Sequence, residues 1–396
     1  MKYILLVPDG AADEPLDELD GKTPLEVART PNLDRLAETG IVGAVQVTPP
    51  DMYPGSDAAN MALLGYDPTR YYTGRGPIEA SAMGIPMDEK DVAFRCSLVT
   101  TDGERLLDYS SGHISTEEAR PLIEFANQKL GTSSIRLFPG VSYRHICRWT
   151  GGPSDLKTAP PHENQGRLLT EIYPEGEADT KVRAFIEDSI NLLNDHPYNH
   201  QRREEGKPLA NMLWLWSPGR VPQLPAFYTR RGVTGAVISA VDVVRGLGKL
   251  TGLEIVRVPG ATGYFDTNYV GKGQYALEAL NRHDFVWVHV ESPDEAGHLG
   301  SIDEKIRGIE NFDKKVLGTI LKGMEGVDDY RILCAPDHKT PIAKRGHTIG
   351  PVPYLLYDSR KSLRKGTRYP YDERAVQEAK SIFDEGYRLI DQLFKD

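Results

Sequence analysis

The chain has 396 residues, 39% of them hydrophobic and 26% charged, with a formal net charge of −10. That length holds more than one domain with a buried core, and the negative balance argues against general binding to nucleic acid or to an anionic membrane surface. An anionic substrate would need a local positive site, made by metal ions or clustered arginines.

The N-terminal MKYILLVPDG has a short apolar run ending at Pro8. It is too short for a signal segment or a membrane span, and it reads as a buried strand. No other apolar stretch reaches membrane length. Cys96, Cys147 and Cys334 are far apart and each lies in an apolar run, as reduced core cysteines of a cytoplasmic protein do. RTPNLDRLAETG then predicts a helix with Thr30 as N-cap, Pro31 at the first helical position and Gly40 as the stop. In PGSDAANMALLGYD a tight turn feeds a helix of small residues, with Ser56 where the two meet.

From Asp91 to Trp149 the pattern changes. A strand (VAFRCSLV), a turn at Asp102-Gly103 and a second short strand precede a helix opened by the capping box Ser115/Glu118 and stopped by Gly131. IRLFP and SYRHICRW follow as strands joined through Gly140. This predicts a small α+β unit over 89–176, inserted into a larger domain made of 1–88 and 177–396. The Gly/Pro-rich GGPSDLKTAPPHENQG leads out of it, and a helix from Asp179 to Asn194 is expected to return to the larger domain.

Beyond it, strands are predicted at Gly235–Val241, Glu254–Val258, Asp284–Val290 and Tyr330–Ala335. Runs such as FVWVHV match strands buried on both faces, as in a parallel sheet. Between Asp303 and Met324 the apolar residues Ile306, Ile309, Phe312, Val316 and Ile320 form one helix face. The expected fold class is therefore α/β, a mostly parallel sheet covered by helices, with an inserted smaller α+β domain.

Asp9, Asp294 and Asp337 fall just beyond predicted strands, at the sheet end where sites assemble in open α/β folds. His298 lies four residues after Asp294, His338 adjoins Asp337, and His347 follows in KRGHT. Each alone reads as a turn acid or a loop histidine. Together, with the Ser56 oxygen and no competing thiolates, they predict a site for two divalent ions, Mn or Zn first, with Co, Fe or Mg as alternatives. Two such ions would supply the missing positive field, clamp a phosphoryl group and activate a serine hydroxyl. The Gly-x-Ser-x-Gly elbow and the Walker A motif are both absent.

PDGAAD, TPNLDRLA, PGSDAANMALLGYDP, YTGRGPIEA, PDEAGH and APDHKTP…GHT resemble the cofactor-independent phosphoglycerate mutases, archaeal-type branch, within the alkaline phosphatase superfamily. The resemblance covers essentially the whole chain. It implies one ion held by Asp9, Ser56, Asp337 and His338, and another held by Asp294, His298 and His347. It further implies Ser56 as nucleophile, interconversion of 3- and 2-phosphoglycerate, and no need for 2,3-bisphosphoglycerate. The inserted unit would hold the glycerate carboxylate and close over the site. Arg75 is the first candidate for a phosphate clamp, with Arg144, His145 and His162 as further substrate-binding candidates. DYSSGHIST, where archaeal members carry an arginine-rich segment, is similar to a bacterial subgroup also labelled as proposed homoserine kinase. A homoserine kinase or a phosphatase is thus the alternative activity. The expected partner is a small phosphorylated substrate, with no nucleic acid and no membrane.

Overall fold

The computed structural model describes residues 1–327, 329–360, 370–378 and 382–395. The chain divides into two compact units, Met1–Tyr72 with Leu224–Asp396, and Thr73–Gln223.

The first unit is built on a sheet that runs, among the described residues, through Glu254–Val256, Gly235–Ile238, Phe285–Val290, Lys2–Pro8, Tyr330–Cys334, Val352–Asp358, Ile41–Val45 and Ile382–Phe383. The central strands Lys2–Pro8 and Phe285–Val290 are parallel, and Lys2–Pro8 also pairs in parallel with Tyr330–Cys334. Val352–Asp358 is antiparallel to both of its neighbours. Strands covered on both faces cannot leave polar side chains facing water, which is why these runs are continuously apolar. Val286, Val288 and Val290 pack on one side with Ile4, Leu6 and Ile332, beneath the helix Tyr269–Leu280 and the apolar face Ile309, Phe312, Val316 and Ile320. Parallel pairing also brings the carboxyl ends of these strands to one edge of the sheet.

The helix expected from Asp303 to Met324 is present, interrupted by a π-helical turn at Phe312–Leu317. Asp313 in that turn accepts from the backbone N–H of Asn32 and Leu33, at 3.2 and 2.8 Å. It thereby caps the helix Pro31–Thr39, because Thr30 makes no side-chain cap of its own.

The second unit is an antiparallel sheet in which Asp91–Thr101 pairs with Leu106–Asp108, Arg144–Thr150 and Met212–Gly219, and Ile135–Val141 lies beyond Arg144–Thr150. The capping box of the helix Thr116–Leu130 is formed, with both Ser115 and Glu118 hydrogen bonds. This unit is wider than the expected 89–176. The helix Asp179–Asn194 does not return to the larger unit; Val182, Phe185, Ile186 and Leu193 share a core with Leu122, Leu213 and Trp214. The physical reason is the strand Met212–Gly219, absent from the sequence reading, which completes this sheet and holds the helix against it.

Candidate active site

Ser56 opens the helix Ser56–Leu63 as its first residue, and Gly55 takes the N-cap position without a side-chain cap bond. The Ser56 hydroxyl is therefore not used in capping. Its Oγ lies 3.2 Å from His338 Nε2. The same ring nitrogen is 3.5 Å from Asp9 Oδ1 and 3.5 Å from Asp337 Oδ2. Asn60, one helical turn after Ser56, donates to Asp337 Oδ2 at 2.7 Å and to the Ser56 carbonyl at 2.9 Å. Asp337 Oδ1 accepts from the backbone of Gly10 and of His338. Gly10 has φ +58°, and a Cβ there would come within 2.5 Å of Thr340 Oγ1 and 2.6 Å of Asp294 Oδ1. Only glycine allows the turn after Asp9 to approach so closely.

A second group adjoins the first. Asp294 and His298 occupy the helix Ser292–Leu299 at i, i+4, so both face one way; His298 is a helix residue, not the loop residue its sequence context indicates. Asp294 Oδ2 is 3.2 Å from His298 Nε2, and Oδ1 is 3.4 Å from His347 Nε2. His298 Nδ1 lies 3.1 Å from the Arg345 carbonyl, an acceptor, so Nδ1 carries a proton and Nε2 is the nitrogen that faces inward. The rings of His338 and His347 are 4.0 Å apart, which brings the two groups together.

The electrostatics of this cluster call for cations. Burial, reinforced by Asp337, Glu291 and Asp294, pushes the Asp9 carboxyl well above its usual range. Both its oxygens are buried and neither makes a well-formed hydrogen bond, although His289 Nε2 approaches Oδ2 at 2.9 Å. Burial also works against charge on Asp294, but His298 and His347 outweigh it and hold that carboxyl well below its usual range. Burial disfavours the His298 cation, yet Asp294 overrides it and raises the ring to about 9. Burial lowers His338 to about 4, which keeps it neutral. Buried carboxylate oxygens facing imidazole nitrogens are what a divalent cation stabilises. Asp294, His298 and His347 form one group with the spacing of metal ligands, and Asp9, Asp294 and His338 form another.

His289, Glu291 and Thr340 complete the site, and none stood out in the sequence. His289 is fully buried, its Nε2 2.9 Å from Asp9 Oδ2, and it forms a third metal-spaced group with Asp9 and Asp337. Its signal was available: a lone imidazole inside the apolar run FVWVHV. Lys272, fully buried, donates to the His289 carbonyl at 2.8 Å, and burial lowers it to about 8 against the pull of Glu291.

Arg75, Arg144 and His162, expected to bind substrate, are linked within the second unit by ring and charge contacts. Arg75 starts the helix Arg75–Ala82, and its Nε lies 2.6 Å from the buried Glu79, which Arg95 also engages at 2.9 Å. Arg95 stacks on Trp216 at 4.7 Å, Trp216 is 5.7 Å from His162, and His162 is 6.3 Å from Tyr109. Tyr109 contacts Tyr143, over which the exposed Arg144 lies. Arg95, Trp216 and Tyr109, which link these residues, did not stand out in the sequence. His145 differs from the expectation: it is buried, its Nδ1 accepts from the Gly140 backbone at 3.0 Å, and burial lowers it to about 3.

A protein from Geobacter sulfurreducens described as a probable 2,3-bisphosphoglycerate-independent phosphoglycerate mutase is 47% identical over 99% of this chain and 99% of its own. The chain belongs to the 2,3-bisphosphoglycerate-independent phosphoglycerate mutase family. The family description of that name matches residues 37–199. A structure from Pyrococcus horikoshii aligns with a TM-score of 0.82 and 29% identity, covering 99% of this chain and 96% of that one. A cofactor-independent phosphoglycerate mutase from Thermoplasma acidophilum aligns with a TM-score of 0.63 and 29% identity, covering 99% of each. The expected family and the expected α/β fold with an inserted unit are both met. Among the described residues, no helix is long and apolar enough to cross a membrane.

Proposed function

We propose that this chain interconverts 3-phosphoglycerate and 2-phosphoglycerate without 2,3-bisphosphoglycerate, through a phosphoserine on Ser56 beside two divalent ions, in the cytoplasm. The observation that carries this reading is the Ser56 hydroxyl, not used in capping, 3.2 Å from His338 Nε2 and beside the buried Asp9 carboxylate. Asp9, Ser56, Asp337 and His338 would hold one ion, and Asp294, His298 and His347 the other. Oxygen and imidazole donors in this mixture suit Mn or Zn, then Co, Fe or Mg. Bound there, the ions supply positive charge for the phosphoryl oxygens and favour the ionised hydroxyl.

The chain's own residues do the rest. Ser56 Oγ attacks phosphorus in line, and the Oγ–P bond forms as the bond to the glycerate oxygen breaks. That oxygen takes up one proton, matching the proton lost from Ser56. The other glycerate hydroxyl then attacks the phosphoserine; its O–P bond forms as the Ser56 Oγ–P bond breaks, and the proton it loses is matched by the one that Ser56 Oγ takes back. The N-terminus of the helix Ser56–Leu63 favours negative charge on Ser56 throughout. Arg75, Arg144 and His162 bind the substrate's anionic groups, Arg75 being oriented by Glu79. His145, an interior residue, is left out of this set.

The test is an enolase-coupled assay of metal-loaded protein with 3-phosphoglycerate, run with Mn, Zn, Co and Mg. Formation of 2-phosphoglycerate supports the reading. Absence of turnover with every ion would sink it, and phosphate release to water, or ATP-dependent transfer to homoserine, would reassign the acceptor.

A further inference from the structure

Thr340 lies between the two acid–histidine groups and is fully buried. Its Oγ1 is 2.5 Å from Asp294 Oδ1 and 3.2 Å from His338 Nδ1. A hydroxyl has one proton to donate, whereas an ionised carboxylate can only accept. Asp294 turns Oδ2 to His298 Nε2 at 3.2 Å and Oδ1 to His347 Nε2 at 3.4 Å, so both of its oxygens are placed as acceptors. The Thr340 proton must therefore lie toward Asp294, since two acceptors cannot sit 2.5 Å apart with nothing between them. The Thr340 oxygen is then left to accept, and its remaining neighbour, His338 Nδ1, must be the donor.

We propose that Thr340 is a positioning residue that fixes His338 as its Nδ1–H tautomer and orients Asp294, so that one hydroxyl sets the ligand geometry of both groups. With the proton on Nδ1, the lone pair of His338 is on Nε2, the atom that faces Ser56, Asp9 and Asp337. Outer partners of this kind fix ring orientation and tautomer at metal sites. The Thr340 backbone is pinned as well. Its N–H donates to the Ala12 carbonyl at 3.1 Å, and its carbonyl accepts from the buried Lys305 at 2.8 Å. Lys305 is itself paired with Asp13 at 2.6 Å. The hydroxyl is thus carried on a backbone tied to the segment that follows Asp9.

This inference rests on the proposed two-ion site for its consequence, but not for its first test. Long-range 1H–15N correlation on the metal-free, full-length protein reports the imidazole tautomer directly, with His338 assigned by its loss in His338→Gln. The expected result is Nδ1–H in the native protein and in Thr340→Ser. In Thr340→Val, which keeps the shape and removes the hydroxyl, the Nε2–H form should become populated. Calorimetric titration with Mn or Zn should then show both ions bound ~10–100-fold more weakly in Thr340→Val, the usual scale for an outer-shell partner, with Thr340→Ser close to native. An Nε2–H tautomer in the native protein overturns the proposal, as does a Thr340→Val protein with unchanged tautomer and unchanged affinities. If the native protein binds no ion, the two-ion reading fails instead, and the tautomer still decides the role of Thr340.

Discussion

The Nε2 atoms of His298 and His347 lie 3.0 Å apart. His298 has its Nδ1 proton directed to the Arg345 carbonyl, so this close approach aims ring nitrogens at one point beside Asp294. In the metal-free protein, a proton is the cation that point can take. That competition between proton and metal has measurable consequences.

Metal binding should strengthen as pH rises toward 9. The His298 ring, raised to about 9 by Asp294 against burial, is protonated at neutral pH and must release that proton to coordinate. A raised imidazole stabilises the metal-free fold below the ordinary histidine range and loses that contribution as pH climbs through 9. Titration in buffers of differing ionisation enthalpy should reveal proton release at pH 7.5 that fades above pH 9. His298→Ala should lower the bound metal from two ions to one per chain by elemental analysis; retention of two would remove His298 from the ligand set.

Ser56→Ala should abolish phosphoryl transfer, with loss of roughly 10⁴-fold or more as expected when an attacking group is removed. Because the hydroxyl makes no helix cap, thermal stability should change little. Isotope-labelled phosphate trapped on the native protein, and missing from the variant, would locate the phosphoserine. Trapping on the variant would place it elsewhere.

Arg75→Ala should raise KM roughly 10- to 100-fold, the scale of a charge-assisted hydrogen bond, with metal stoichiometry unchanged. Arg75→Lys keeps the charge but not the planar fork, and should recover only part of the loss. Steady-state kinetics that leave KM untouched in Arg75→Ala would assign Arg75 to holding Glu79 and nothing more.

Lys305→Met should destabilise the fold by about 3–5 kcal/mol, the cost of leaving one partner of a buried pair uncompensated. Lys305 and Asp13 are both fully buried, and Lys305 also binds the Ala12 and Thr340 carbonyls. Urea unfolding would measure the loss. The double variant Lys305→Met with Asp13→Leu should recover part of it, and no recovery would mean that the carbonyl contacts matter more than the ion pair.

Much of this protein is determined by sequence alone. The apolar runs Lys2–Pro8 and Phe285–Val290, the periodic face from Ile309 to Ile320 and the Ser115/Glu118 capping box all act locally, through burial and hydrogen bonds within a few residues. The acids at the strand ends were legible for the same reason, because a parallel sheet collects those ends on one edge. What tertiary structure alone decided are matters of contact between distant segments. Met212–Gly219 joins Asp91–Thr101 and so sets where the inserted unit ends. Asp313 caps a helix nearly three hundred positions earlier in the chain. His289 meets Asp9 across adjacent strands, and Thr340 bridges Asp294 and His338. A hydroxyl or imidazole carries no record of its partner in its own neighbourhood of sequence. Its role is set by which lone pairs and protons face it once the chain has closed, and for Ser56 those belong to His338, hundreds of residues away.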